Sequence, residues 1–398
     1  MKPHRLAPFM TLVALSIAAP VVAQEKIKIG FLTDMSGWQA DAEGKDGVTS
    51  IQLAIDDFGG KVLNRPIELL YADHQAKSDI GATKAREWID TRGVNVIFGG
   101  TNSAVGLALS NVTREKKTVY INISGITAQL TNEACSPYTV HYGYDTVALA
   151  KGTGSAVVEA GGKSWFFITA DYAFGHSMQS DTTAVIKAHG GTVVGSALHP
   201  TSASDFSSQL MKAKGSNAQV LGLANATGDM VSTLKGAKEF GLNQTMKIAV
   251  LLVFLSDVHG AGLKTFSGAL FTTPWYWDLD DPSRKFAQRF YEKTKRMPND
   301  THAADYSATI TYLKAVQAAG TTDSGKVMAT LKTMKINDFY AKGGYIRADG
   351  SMVHDMYLMQ MKSPAESKQP WDYYKVVKRL KGDDVFTTKA ESKCALWK

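Results

Sequence analysis

Strand-like and helix-like runs alternate twice along this chain, and that alternation restricts its possible folds more than any other feature. Residues 26–33 (KIKIGFLT) form a β-rich run, after which Val48, Ile51, Ile55 and Phe58 recur at helical spacing and stop at Gly59-Gly60. Strand-like 67–72, a helix around 80–90, a strand at 94–98 ending in Gly99-Gly100, a helix over 104–116 and a strand at 118–123 follow. The rhythm restarts around 138–145. Strands are expected at 164–169, 192–196, 219–223 and 247–252, separated by helices at about 146–160, 174–189, 206–213 and 229–240. Gly190-Gly191 and Gly241 stand where helix C-caps belong. This βαβ order predicts parallel sheets covered by helices on both faces. The expected fold class is α/β, with two Rossmann-like, doubly wound lobes.

From Pro274 onward the pattern is mostly helical, at 283–295, 304–318 and 325–334, with short strands at 345–346, 356–361 and 373–377 and a polar loop at 363–369. No low-complexity tract or long flexible linker appears, so short segments must join the lobes.

The N-terminus indicates where such a fold works. Lys2 and Arg5 precede an apolar run over 9–19, and Val21-Val22-Ala23 has the small-residue pattern of a signal-peptidase cut before Gln24. The run is shorter than the ~20 residues that span a bilayer; a plain N-terminal anchor is the competing reading. The expectation is a signal peptide over 1–23 and export to a bacterial periplasm. Cleavage removes two basic residues and no acid, taking the formal net charge from +7 to +5. The remaining Lys and Arg are dispersed, and the cluster Lys375, Lys378, Arg379, Lys381 is followed at once by Asp383 and Asp384. That reads as a solvated face, not a nucleic-acid stripe. In an oxidising compartment the two cysteines, Cys135 and Cys394, are expected to pair, with two separate thiols as the alternative.

Catalytic and metal motifs fail one by one. GGKS at 161–164 has Val157 where a phosphate loop needs its leading Gly, and it precedes a strand instead of following one. Gly152-Thr153-Gly154 lacks the third Gly of a dinucleotide fingerprint. Gly175-His176-Ser177 starts like a nucleophile elbow, but Met178-Gln179 ends it without Gly. The nine His residues show no paired metal spacing, and Asp278, Asp280 and Asp281 lack the Gly and distal Glu of a calcium loop. The expectation is a chain that is not an enzyme and needs no metal or cofactor.

Open α/β sheets place ligands at the carboxyl ends of their strands. In the first lobe those ends carry Ser36-Gly37-Trp38, the GGTNS run with Asn102 and Ser103, and Ser124-Gly125. In the second they carry Tyr172, Phe174, Asn225 and Phe254. Hydroxyls, an amide and helix-start N–H groups suit a carboxylate, and the aromatic rings suit an apolar ligand body. Each has a plainer reading: Ser103 as a helix cap, Phe174 as core.

In IKIGFLTDMSG, GGTNS, ADYAFG and GYIRADG the chain resembles the periplasmic substrate-binding proteins of ABC importers, specifically the type I branched-chain amino-acid-binding group. The resemblance covers essentially the whole mature chain. It implies two lobes (24–144 plus 275–350, and 145–274 plus 351–398) joined by three hinge crossings near Tyr144-Asp145, 271–275 and 347–355. It also implies a ligand clamped between lobes, membrane permease subunits as partners, and a monomer. Amino-acid binders of the group hold the ligand ammonium with an acid from the second lobe. The matching stretch here, Leu251-Leu252-Val253-Phe254-Leu255, has none until Asp257. With Trp38, Tyr172, Phe174, Phe254, Trp275 and Trp277 expected around the cleft, the chain looks more like members that bind aromatic carboxylates such as benzoates or hydroxycinnamates. Asp278, Asp305 or Asp41 would be the acid if the ligand were an amino acid. A secreted α/β hydrolase and a sensor lobe for a membrane receptor are the competing functions.

Overall fold

The computed structural model describes Pro3 and residues 25–398. The signal peptide and its cleavage site lie outside the described residues. Six strands build the first sheet: β1 (Ile27–Thr33), β2 (Lys61–Val62), β3 (Arg65–Asp73), β4 (Val96–Gly99), β5 (Val119–Asn122) and β6 (Thr139–His141), in the order β2-β3-β1-β4-β5-β6. All pairings are parallel except the β2–β3 hairpin. Buried on both faces from Ile29 onward, β1 carries the unbroken run Ile29-Gly30-Phe31-Leu32 instead of an alternation.

The second lobe has a four-stranded parallel sheet, β10-β9-β7-β8, from β7 (Ser164–Ala170), β8 (Thr192–His199), β9 (Val220–Ala224) and β10 (Lys247–Val250). Beside it lies an antiparallel sheet whose first strand is β11 (Leu270–Thr273). β12 (Lys335–Asn337), β13 (Lys342–Ile346) and β14 (Met352–Val353) pair in order on the first-lobe side, where Ser351 bridges His141 of β6. β15 (Met356–Met361) and β16 (Tyr374–Leu380) complete the β11-β15-β16 sheet. The chain therefore changes lobe three times: after β6, after β11, and between β14 and β15.

Local sequence explains the elements that set up the cleft. Helix Ser103–Glu115 starts at Asn102, whose side-chain oxygen accepts from the N–H groups of Ala104 (2.9 Å) and Val105 (3.4 Å). It buries Val105, Leu109 and Val112 along one stripe, each contributing about 1.5–3 kcal/mol. Gly99 and Gly100 just before it have φ of +103° and +90°. A Cβ at either would stand 2.2 Å from Leu32 O or the Tyr120 hydroxyl, so only glycine lets β4 end this close to β1 and β5.

Several elements differ from the sequence expectation. The helix expected over 146–160 is α-helical at Thr146–Leu149 and Ser155–Glu159, with a π-helical turn over Ala150–Gly154 between. There Thr153 Oγ1 lies 2.9 Å from Thr272 Oγ1 of β11, and a Cβ on Gly152 would strike the same threonine. β2, β6, β11, β12 and β14 are all five residues or shorter, too brief for a clear period. Lobe one extends past residue 350, because Met352 and Val353 pair with β13. Cys135 and Cys394 are joined, as expected, across 259 residues, and Asn132 Oδ1 accepts from the Lys393 N–H. The tail thus returns to lobe one. Among the described residues no helix is long and apolar enough to cross a membrane.

Candidate functional site between the lobes

The strand ends of both lobes face one another, and the lobes are in contact. Trp38, in the loop after β1, meets Tyr172 after β7 edge-on, with centroids 5.6 Å apart, and Tyr172 in turn lies 5.9 Å from Phe174. These three expected residues come together as one aromatic run across the lobe boundary. Phe174 and Phe254 share a buried apolar cluster with Ala42 and Ile126 of lobe one. Polar bonds cross as well. Ser256 Oγ donates to Asp41 O at 3.0 Å, the Ser256 N–H donates to Asn299 Oδ1 at 3.0 Å, and the hydroxyls of Thr127 and Ser177 lie 2.7 Å apart.

The lobe-one polar groups are organised around a residue that the sequence reading did not single out. Glu43 is buried at the ends of β1, β4 and β5, where it accepts from Thr33 (2.5 Å), Thr101 (2.5 Å) and Ser124 (2.8 Å). Burial pushes its carboxyl above the usual range, and the three hydroxyl donors oppose that shift. Ser124 has spent its single proton on Glu43 and has none left for a ligand. Asn102 caps its helix and donates one amide hydrogen to Gln39 Oε1 at 2.9 Å. Ser103 Oγ accepts from the Thr127 N–H at 3.2 Å, which leaves its own proton free to donate. Ser103 therefore keeps a donor at a helix N-terminus, where a negative group is favoured.

The other expected residues sit deeper. Asn225, at the end of β9, turns inward, its amide nitrogen 3.1 Å from His199 Nε2 and 3.0 Å from Thr233 Oγ1. Trp275 is buried against Phe286 and Phe339, and its indole N–H donates to Ser283 at 3.0 Å. One edge of it reaches a small cavity at the second crossing. Trp277 donates to Trp371 O at 2.9 Å. Asp41 is held by Arg296 and Asp278 by Arg284. Asp305 is buried in lobe one, with burial and Glu43 driving its carboxyl far above the usual range. Glu43 carried no sequence signal beyond preceding a helix. Among the described residues, no cluster of three or more metal-type ligands is found.

The family description "periplasmic binding protein" matches residues 26–368. The chain belongs to this family. Its fold is the two-lobed type I periplasmic binding protein fold. A periplasmic binding protein from Burkholderia mallei is 61% identical with a TM-score of 0.92, covering 94% of this chain and 99% of that one. A branched chain amino acid ABC transporter periplasmic ligand-binding protein from Burkholderia xenovorans is 39% identical with a TM-score of 0.84, covering 94% and 100%. An ABC transporter solute binding protein from R. palustris, solved with benzoate, shares the fold at a TM-score of 0.82 and 19% identity, covering 94% and 100%. The match to the Leu/Ile/Val-binding protein homolog 6 of Brucella abortus is 24% identical over 209 residues, 52% of this chain. It spans about half (53%) of the length of that relative.

Proposed function

We propose that this periplasmic binding protein captures a small carboxylate, an aromatic acid of the benzoate or hydroxycinnamate kind, and delivers it to the permease subunits of an ABC importer. It acts in the periplasm as a monomeric binding protein and not as an enzyme. The observation that carries the reading is the aromatic run Trp38–Tyr172–Phe174 across the lobe boundary. The β10 end opposite it offers Val253 and Phe254, and the first acid after them, Asp257, is taken up by the Phe254 N–H at 2.9 Å. Ser103 and the start of its helix supply donors for the carboxylate. The benzoate complex of the R. palustris protein is in keeping with this reading, since the fold there accommodates an aromatic acid.

A second reading, a branched-chain amino-acid or amide binder, is favoured by the buried Glu43 at the lobe-one strand ends and by the name of the Burkholderia xenovorans relative. A thermal-shift screen of the mature protein against benzoate, 4-hydroxycinnamate, leucine, isoleucine and valine separates the two. A ligand at 100 times its dissociation constant adds about 2.7 kcal/mol to stability. Stabilisation by aromatic acids alone is expected; stabilisation by leucine alone would replace the first reading with the second.

A further inference from the structure

Two acids, Glu43 and Asp305, are buried in lobe one, and among the described residues no cation answers either. Asp305 packs against Gly47, where a Cβ would stand 2.9 Å from its Oδ2, and both of its oxygens lack hydrogen-bond partners. Glu43 is bonded, and its bonds count its protons. Its Oε2 lies 2.5 Å from Thr33 Oγ1 and 2.5 Å from Thr101 Oγ1, and those two hydroxyls also touch each other. Three oxygens in mutual contact need three hydrogens between them, and the two threonines bring only two. A proton on Glu43 Oε2 supplies the third, and one threonine then accepts from it. Ser124 donates to the other oxygen, Oε1, at 2.8 Å.

The groups packed around Glu43 leave this count unchanged. Tyr120 of β5 and Asp305 of helix Asp300–Ala319 bring no positive charge. His302 of the same helix, which burial holds neutral, has its Nε2 2.8 Å from the Glu43 carbonyl oxygen and not at the carboxyl. Asp34 is occupied by the N–H groups of Gly37 and Gln39, and Arg296 is spent on Asp41 and Asp46. Thr101 stands two residues before Ser103, the free donor at the helix start. An ionised Glu43 there would repel a carboxylate at Ser103, at a cost of about tenfold or more in affinity.

Resting on the carboxylate reading, we propose that Glu43 keeps its proton in the binding-competent protein and is the positioning residue that lets lobe one accept an anion. It fastens the ends of β1, β4 and β5 through uncharged hydrogen bonds and sets no negative charge against the ligand. An ionised Glu43 would select the opposite ligand charge, an ammonium.

Infrared difference spectra of the ligand-free parent protein and Glu43→Gln at pH 7 test the proton. A protonated-carboxyl band should be present in the parent and lost in the variant; loss of a carboxylate band instead overturns the proposal. Calorimetry tests the role, using the better bound of benzoate and 4-hydroxycinnamate, its amide, and leucine. The acid should bind the parent at least about tenfold tighter than its amide. Glu43→Gln, uncharged and of the same shape, should keep that acid's affinity within about threefold, whereas a gain of about tenfold would mean a charge in the parent and overturn the proposal. If Glu43→Gln melts early, the acid–amide comparison on the parent decides, and an amide that binds as tightly as its acid overturns the role of Glu43. A missing protonated band together with acid binding removes that role alone and leaves the aromatic-acid reading standing. Leucine bound with release of one proton, counted in phosphate and Tris buffers, overturns both. Failure of both aromatic acids to bind removes the reading, and the role of Glu43 with it.

Discussion

Trp38 is half-buried with its ring edge-on to Tyr172, whereas Trp275 and Trp277 are buried and tied by their indole N–H groups, so Trp38 is the ring available to a ligand. Trp38→Ala should weaken an aromatic acid roughly tenfold and leave a small aliphatic acid nearly unaffected. Equal losses for both in calorimetry would reduce Trp38 to cleft wall. Ser103→Ala should weaken either acid by roughly ten- to hundredfold, because the lost hydrogen bond is to a charged group. Buried titratable groups also set a pH dependence. Burial pushes Asp145 and Asp257 up to about 7, and Asp181 and Asp300 up to about 6, from an ordinary 3.8. Their contribution is complete below about 3.8 and is lost as pH rises through 6 to 7. Burial holds His74 and His302 at about 4 and His141 at about 3, so their contribution grows as pH rises to 6.5 and opposes the acids there. Above 6.5 the acids act alone. Melting temperature should fall between pH 6.5 and 8, and Asp145→Asn should lessen the fall; a flat profile would contradict it. At this scale the aromatic residues named from the sequence divide: Trp38, Tyr172 and Phe174 come together at the lobe boundary, whereas Trp275 and Trp277 are buried elsewhere. The sequence reading missed Glu43, because a buried acid next to a helix start looks the same in sequence as an exposed helix-capping acid.

The long elements were legible, and so were the short buried strands β4, β5 and β10; the strands of two or three residues, β2, β6, β12 and β14, were not, nor was β11. Helix Ser103–Glu115 announces itself by a capping Asn, an apolar stripe and two glycines before it. β11 gives four residues, and its pairing with β15 depends on a segment more than eighty residues later. The π-helical turn at Ala150–Gly154 is likewise a tertiary effect, set by the approach of Thr272. The C-terminal tail is held to lobe one by the Cys135–Cys394 bond. It also touches the turn between β13 and β14, where Arg347 donates to Thr387 O at 2.6 Å and stacks over Trp397 at 4.1 Å. A loop of this length bears an entropic stabilisation of at most about 5 kcal/mol. The double variant Cys135→Ser, Cys394→Ser should lose about 2–5 kcal/mol by denaturant titration while keeping its ligand affinity. No loss of stability would mean that the tail's polar contacts hold it unaided.

As a whole, the molecule has its lobes together, hydrogen-bonded across the boundary. Asn299 Nδ2 donates to Asp41 O at 2.9 Å and to Ala42 O at 3.0 Å, and the same amide nitrogen reaches Ser256 Oγ of the opposite lobe at 3.1 Å. A ligand held inside needs these bonds to open and re-form, and exclusion of water on closure strengthens every hydrogen bond to it. The Thr127–Ser177 contact, hydroxyl to hydroxyl at 2.7 Å, marks where the lobes can be locked. The most direct test of capture between the lobes is calorimetric titration of the double variant Thr127→Cys, Ser177→Cys with an aromatic acid, oxidised before the ligand is added. The parent protein is treated identically. The oxidised variant should fail to take up ligand, and mild reduction should restore parental affinity; equal binding by the oxidised and reduced forms would place the ligand somewhere other than the cleft.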